Sequence, residues 1–209
     1  MKIISLGYTC YMKSLLNETK YKHQTDVVDW MNTFEFSKII DCIENDFNIC
    51  DDLTQSPIDV DENKTTVLYN PCYNMRLPHE IGLSTQEIHE KYQRRYKRFL
   101  DYKYSEEFYI YIRIINTGRY NINPENIGYN YSKIQFERIK KHLPNNSIII
   151  LITDKILSCD DKKKIHSKFI VFDNVMNIEH AFYGDKMYLK DIIIKQYENF
   201  FDFFTLGQL

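Results

Sequence analysis

"FYIYIRII", residues 108–115, is apolar or aromatic at every position except Arg113. A strand with one face in water alternates apolar and polar side chains. A run without that alternation is what a strand needs when both of its faces are buried, as in a parallel sheet covered by helices. Three further runs share the property: "KIISLG" (2–7), "SIIILIT" (147–153) and "KFIVFD" (168–173). Between them the period changes to that of a helix. Residues 10–17 form a short one, and "FSKIIDCIENDF" (36–47) places Phe36, Ile39, Ile40, Ile43 and Phe47 on one face. In "STQEIHEKYQRRYKRFLDY" (84–102), Ser84 and Glu87 have the spacing of a capping box, and Ile88, Tyr92, Tyr96 and Phe99 form the apolar stripe behind it. Glu90 and Arg94 stand at i,i+4 on the same helix. Residues 131–142 and 186–204 continue the helical pattern, the last segment strongly apolar and suited to docking on the core.

Strands alternating with helices predict an α/β fold, with a mainly parallel central sheet flanked by helices. Residues 48–82 break the rhythm: they are acidic and irregular, and "TVLYNPCYNMRLPHE" (66–80) offers one or two extra strands. We read them as an irregular insertion in a single domain spanning residues 1–209. At 209 residues, 44% hydrophobic and 15% aromatic, the chain has enough apolar surface to build a core without disulfides or metal.

A net charge of −2 argues against general nucleic-acid binding, which relies on a basic excess. The one basic cluster, Arg94 to Arg98, is local to a helix with acidic neighbours. The five cysteines (Cys10, Cys42, Cys50, Cys72, Cys159) include no C-x-x-C pair, so no zinc or dithiol redox motif is offered and no metal or cofactor is expected. No stretch has the length of a membrane span or a secretory h-region, which points to a cytoplasmic protein with no membrane partner and with free thiols.

In a parallel sheet the C-terminal strand ends share one edge, and ligands bind there. The strand exits carry Gly7 to Cys10, Asn116 and Thr117, Asp154, and Asp173. Cys10 follows a glycine turn, with Thr9 available as the N-cap of helix 10–17. A thiol in the first turn of a helix has its thiolate favoured by free N–H groups, and its pKa can fall from about 8.5 to roughly 3.5–7.5. The competing reading is a small buried side chain. A nucleophilic thiol needs a base, and of six histidines His79 in "RLPHE" and His180 in "NIEHAF" are best placed in sequence. Asp29 in "TDVVDWM", beside the only tryptophan, Trp30, either orients the base or caps a turn.

Together, "ISLGYTC", "DW" some twenty residues on, "LPHE" and "KYQRRYKRFL" resemble a family of domains from bacteria and large DNA viruses described as papain-like cysteine peptidases of unknown function. The family pattern reads I-S-L-G-x-x-C, then P-F-D-W, then a histidine ahead of a Y-x-R-R helix that leads into a strand. It falls here on Cys10, Asp29–Trp30, His79, and Tyr92 with Arg94 and Arg95. "YGDKMYLKDI" (183–192) is similar to the family's C-terminal G-D-x-x-W-x-x-I, with Tyr188 at the aromatic position. Val27 and Val28 stand where the family has Pro-Phe. The resemblance implies Cys10 as nucleophile, His79 as its base and Asp29 as the group that orients it, acting on a peptide or other acyl substrate. Trp30, Arg94 and Arg95, with Asn116 and Asp154 from the strand exits, are the residues expected to bind that substrate. The label also implies a papain fold, α+β with an antiparallel sheet, whereas the run pattern predicts a parallel one.

Two other classes stay open. A transferase for a nucleotide-sugar or other phosphate-bearing substrate would use Arg94, Arg95 and Arg113, with "DVD" (Asp59, Asp61) as a metal-binding D-x-D. A catalytically silent interaction module would keep the core alone. Neither the substrate nor the oligomeric state is specified by the sequence.

Overall fold

The computed structural model describes residues 1–7, 11–21, 24–60, 63–115, 126–153 and 156–173, with residues 194, 195, 198, 199, 201 and 202 beyond them. In chain order the first elements are β1 (Lys2–Ser5), α1 (Tyr11–Glu18), β2 (Asn32–Thr33), α2 (Phe36–Glu44), β3 (Thr54–Val60), β4 (Asn63–Asn70) and β5 (Met75–Leu77). There follow α3 (Thr85–Tyr102), β6 (Tyr109–Ile114), α4 (Ile127–Asn130), α5 (Lys133–Lys140), β7 (Ser147–Ile152), α6 (Cys159–Lys164) and β8 (Phe169–Phe172).

The four apolar runs are the four strands of one sheet, in the order β1-β6-β7-β8. Every pair in it is parallel, with Ile4 opposite Tyr111 and Tyr111 opposite Ile149. Successive side chains of each strand enter different cores. Ile4, Tyr109, Tyr111, Ile149, Leu151 and Phe169 meet the apolar faces of α2, α3 and α5. Ile3, Ile110, Ile112, Ile150 and Ile152 meet Leu16 of α1 and Phe201. Burial on both faces is why these runs show no alternation, and the sheet is parallel as their pattern predicts, not antiparallel as the papain label implies.

The insertion is more ordered than its composition suggests. Strands β2, β5, β4 and β3 pair in that order into a second, antiparallel sheet. Val67, Met75 and Leu77 are buried, while Thr54, Gln55 and Thr66 are exposed. The insertion expected over 48–82 is present; it carries three strands, where one or two were expected, and they join a fourth, Asn32–Thr33, from outside it. Such strands, polar and paired with partners distant in sequence, carry little local signal. Pro57 is tolerated because β3 is an edge strand.

The helices start where their caps dictate. Ser84 Oγ accepts from Glu87 N, and the Glu87 carboxylate accepts from Ser84 N at 2.8 Å, completing the capping box of α3. Helix α2 lacks a cap from its own Glu35; instead Asn130 Oδ1 accepts from Ser37 N at 2.7 Å. The helix also ends earlier than its apolar period. Asp46 and Phe47 take left-handed φ values of 54° and 53°, and this turn keeps Phe47 in the core, stacked on Tyr92 and Tyr96. Most of the helix expected over 186–204 lies outside the described residues; within it, Phe201 is buried edge-on to Tyr21.

Candidate active site

At the C-terminal edge of the parallel sheet, Leu6 N donates to Ile112 O at 2.7 Å and Ile115 N to Ile152 O at 2.7 Å, so the ladder runs to the strand exits. Gly7 has φ +78°, and a Cβ there would stand 2.3 Å from Thr33 Oγ1. Only glycine permits both the left-handed backbone and this approach of β2. Arg113 explains why β2 comes so close. Its side chain is fully buried, and its Nη1 donates to Thr33 Oγ1 at 2.7 Å and to Leu6 O at 3.3 Å, while its Nε faces Tyr131 Oη at 3.4 Å. The arginine fastens the two sheets together beneath the exits. Committed to these internal bonds, its head does not face solvent to hold a phosphate. Of the D-x-D pair, Asp59 lies within β3 and Asp61 lies outside the described residues. Among the described residues, no group of three His, Cys, Asp or Glu is placed to hold a metal ion.

Cys10, Asn116, Asp154 and His180 lie outside the described residues, as does Thr9, the expected cap. Of the other exit residues, Asp173 closes its own loop. It accepts from Leu157 N at 3.1 Å and pairs with Lys162 at 2.6 Å, which holds its carboxyl below the usual carboxylate range.

Asp29 sits at the end of the turn formed by residues 27–30, behind the buried side chains of Val27 and Val28. Its Oδ2 accepts from Asp26 N at 2.7 Å and pairs with Lys13 Nζ at 3.4 Å. Both side chains of the pair are almost wholly shut off from solvent, and Lys13 Nζ also donates to Gln24 O at 3.2 Å. Asp29 Oδ1 is buried with no hydrogen-bond partner. Lys13 belongs to α1, the helix described from the residue after Cys10. The pair thus fixes the 24–30 segment to the start of that helix. Sequence reasoning did not single out Lys13. A lysine three residues after a cysteine carries no signal of its own; only its burial reveals it.

Trp30 is held at φ 66°, a left-handed conformation that is a genuine outlier for a bulky side chain. Its ring meets the His79 imidazole edge to face, with centroids 5.2 Å apart and planes 75° apart. Partial burial lowers the pKa of His79 below the ordinary 6.5; Glu80 opposes the shift and Lys91 adds to it. The imidazole is therefore mostly neutral at pH 7 and able to accept a proton. No hydrogen bond joins Asp29 to His79 among the described residues; Trp30 is the link between them.

Glu80, which the sequence reading passed over, is fully buried. Its carboxylate takes Lys91 Nζ at 2.5 Å and the Tyr92 hydroxyl at 2.9 Å, pinning the His79 turn to the second and third turns of α3. Arg95, one turn further, lies over the Tyr92 ring at 5.1 Å. Arg94 points away: it is exposed, and Glu90, its expected partner, accepts instead from Gln86 at 2.9 Å. The structure thus brings Lys13, Asp29, Trp30, His79, Glu80, Tyr92 and Arg95 into one chain of contacts.

The remaining thiols differ in environment. Cys42 is buried, and burial pushes its thiol far up; Cys50 is raised by the same cause and Cys72 by its bond to Asp52. Cys159 is exposed at the start of α6.

A family model described as "Putative papain-like cysteine peptidase (DUF1796)" matches residues 1–155, a span that holds every element from β1 to β7. No curated protein and no solved structure matches the chain.

Proposed function

The chain belongs to this family of putative papain-like cysteine peptidases, and from that premise we propose that it performs acyl transfer through a thiol, with Cys10 as nucleophile and His79 as base. The supporting observation is the contact chain that runs from Lys13, three residues after Cys10, through Asp29 and Trp30 to His79. In the proposed reaction His79 takes the Cys10 thiol proton and the thiolate attacks the acyl carbon, forming a C–S bond as the carbonyl π pair moves to oxygen. Backbone N–H groups from Thr9 to Tyr11 receive that oxyanion. Collapse of the intermediate expels the leaving group, which takes its proton from His79, and water then releases the acyl chain. Asp29 serves through Lys13, holding α1, and Trp30 orients the imidazole. Asn116 and Asp154, at the exits of β6 and β7, would line the substrate side.

The test is competitive alkylation of the native protein with limiting iodoacetamide at pH 7, followed by peptide mapping. Cys10 is expected to be labelled at least about tenfold faster than the exposed Cys159, because a thiolate is the reacting species. Labelling of Cys10 no faster than Cys159 would remove the nucleophile and leave the chain as an interaction module built on the same core.

A further inference from the structure

Arg95 is an uncompensated cation. It is 9% exposed, its Nη1 is buried without a hydrogen-bond partner, and no described carboxylate pairs with it. Among the described residues it is held by Tyr92, whose ring lies 5.1 Å from the guanidinium carbon and whose hydroxyl it also hydrogen-bonds. The buried acid close by, Glu80, is already neutralised by Lys91 at 2.5 Å, as Asp29 is by Lys13 at 3.4 Å. Of the charges in this chain of contacts among the described residues, Glu80 pairs with Lys91 and Asp29 with Lys13, and Arg95 is left without a carboxylate. A buried arginine with an open donor costs stability unless something anionic completes it.

We propose that Arg95 is a binding residue for a single carboxylate of the substrate, one turn of α3 beyond Lys91 and Tyr92, which hold the Glu80 that follows His79. The guanidinium carries one positive charge, which a monoanion cancels and a phosphate dianion overshoots. The guanidinium fork matches a planar carboxylate in a way that an ammonium does not. Calling that ligand a substrate rests on the acyl-transfer reading; the anion site itself does not.

The experiment measures the thermal unfolding midpoint of the full chain at pH 7 in sodium chloride, sodium acetate and sodium phosphate at equal ionic strength. Acetate is expected to raise the midpoint by at least about 2 °C over chloride, through preferential binding to the folded state. Cys10→Ser is expected to keep that shift, which separates this site from the thiol. Arg95→Met, which retains the packing on Tyr92, is expected to lose the shift while melting in chloride no lower than wild type. Arg95→Lys is expected to fold and to lose it too. The proposal is overturned if acetate gives no shift, if phosphate gives an equal or larger one, or if either Arg95 variant keeps the acetate shift. A large drop in the midpoint of Arg95→Met in chloride would also overturn it, because the arginine would then be structural.

Discussion

Lys13 and Asp29 form an ion pair almost wholly shut off from solvent. Both are buried, and neither has water to fall back on. Removing one partner of such a pair leaves a buried charge, at a cost of about 3–5 kcal/mol, whereas removing both costs far less. Lys13→Met and Asp29→Asn should therefore each lower stability by that order in urea unfolding, and the double variant should recover much of the loss. Additive losses would show that the two do not act as a unit. His79 gives a second prediction at this scale. Its folded pKa lies below the unfolded 6.5, so as pH falls the unfolded chain takes up the proton first. Its contribution to stability is present in full above 6.5 and is lost as pH falls through the lower, folded value. An NMR titration should place His79 below 6.5 in the wild type and closer to 6.5 in Trp30→Ala, which removes the covering ring. No movement in the variant would mean that Trp30 does not set the imidazole's environment.

Among the elements, α3 was legible from residue types alone because its signals are local. The capping box lies within four residues, and the stripe Ile88, Tyr92, Tyr96, Phe99 repeats at helical spacing, all of it buried. Ser84→Ala is expected to cost about 0.5–2 kcal/mol, read as a shift of the urea midpoint with unchanged slope. A shift within error would mean that the box adds nothing to a helix already fixed by packing. Of the antiparallel sheet only the extra strands within 66–80 were legible; its pairing was not, since β2 finds β5 more than forty residues away and is too short to announce a strand. Lys13 and Glu80 were missed for a related reason: charged residues read as surface, and only burial with a partner marks them otherwise. At the glycine, Gly7→Ala should destabilise by at least about 2 kcal/mol, because it combines a left-handed backbone with a clash against Thr33.

At the scale of the whole molecule, two cores clamp a parallel sheet, and at its exit Arg113 bonds Thr33 of β2, the strand paired with β5, which ends two residues ahead of His79. The unbroken apolar runs dictated the parallel arrangement, and the family name, which describes a chemistry, did not alter it. The motifs pointed to Cys10, Asp29, Trp30 and His79; of these, Asp29 pairs with Lys13 of α1 and accepts from Asp26 N, and Trp30 meets His79 ring to ring. The account stands or falls on the pair Cys10–His79. The most direct measurement is the rate of Cys10 alkylation across pH 4–10 in the wild type and in His79→Gln. The account predicts a wild-type inflection well below the ~8.5 of a free thiol, moved upward when His79 is replaced. An inflection at or above ~8.5 that ignores the loss of His79 would contradict it.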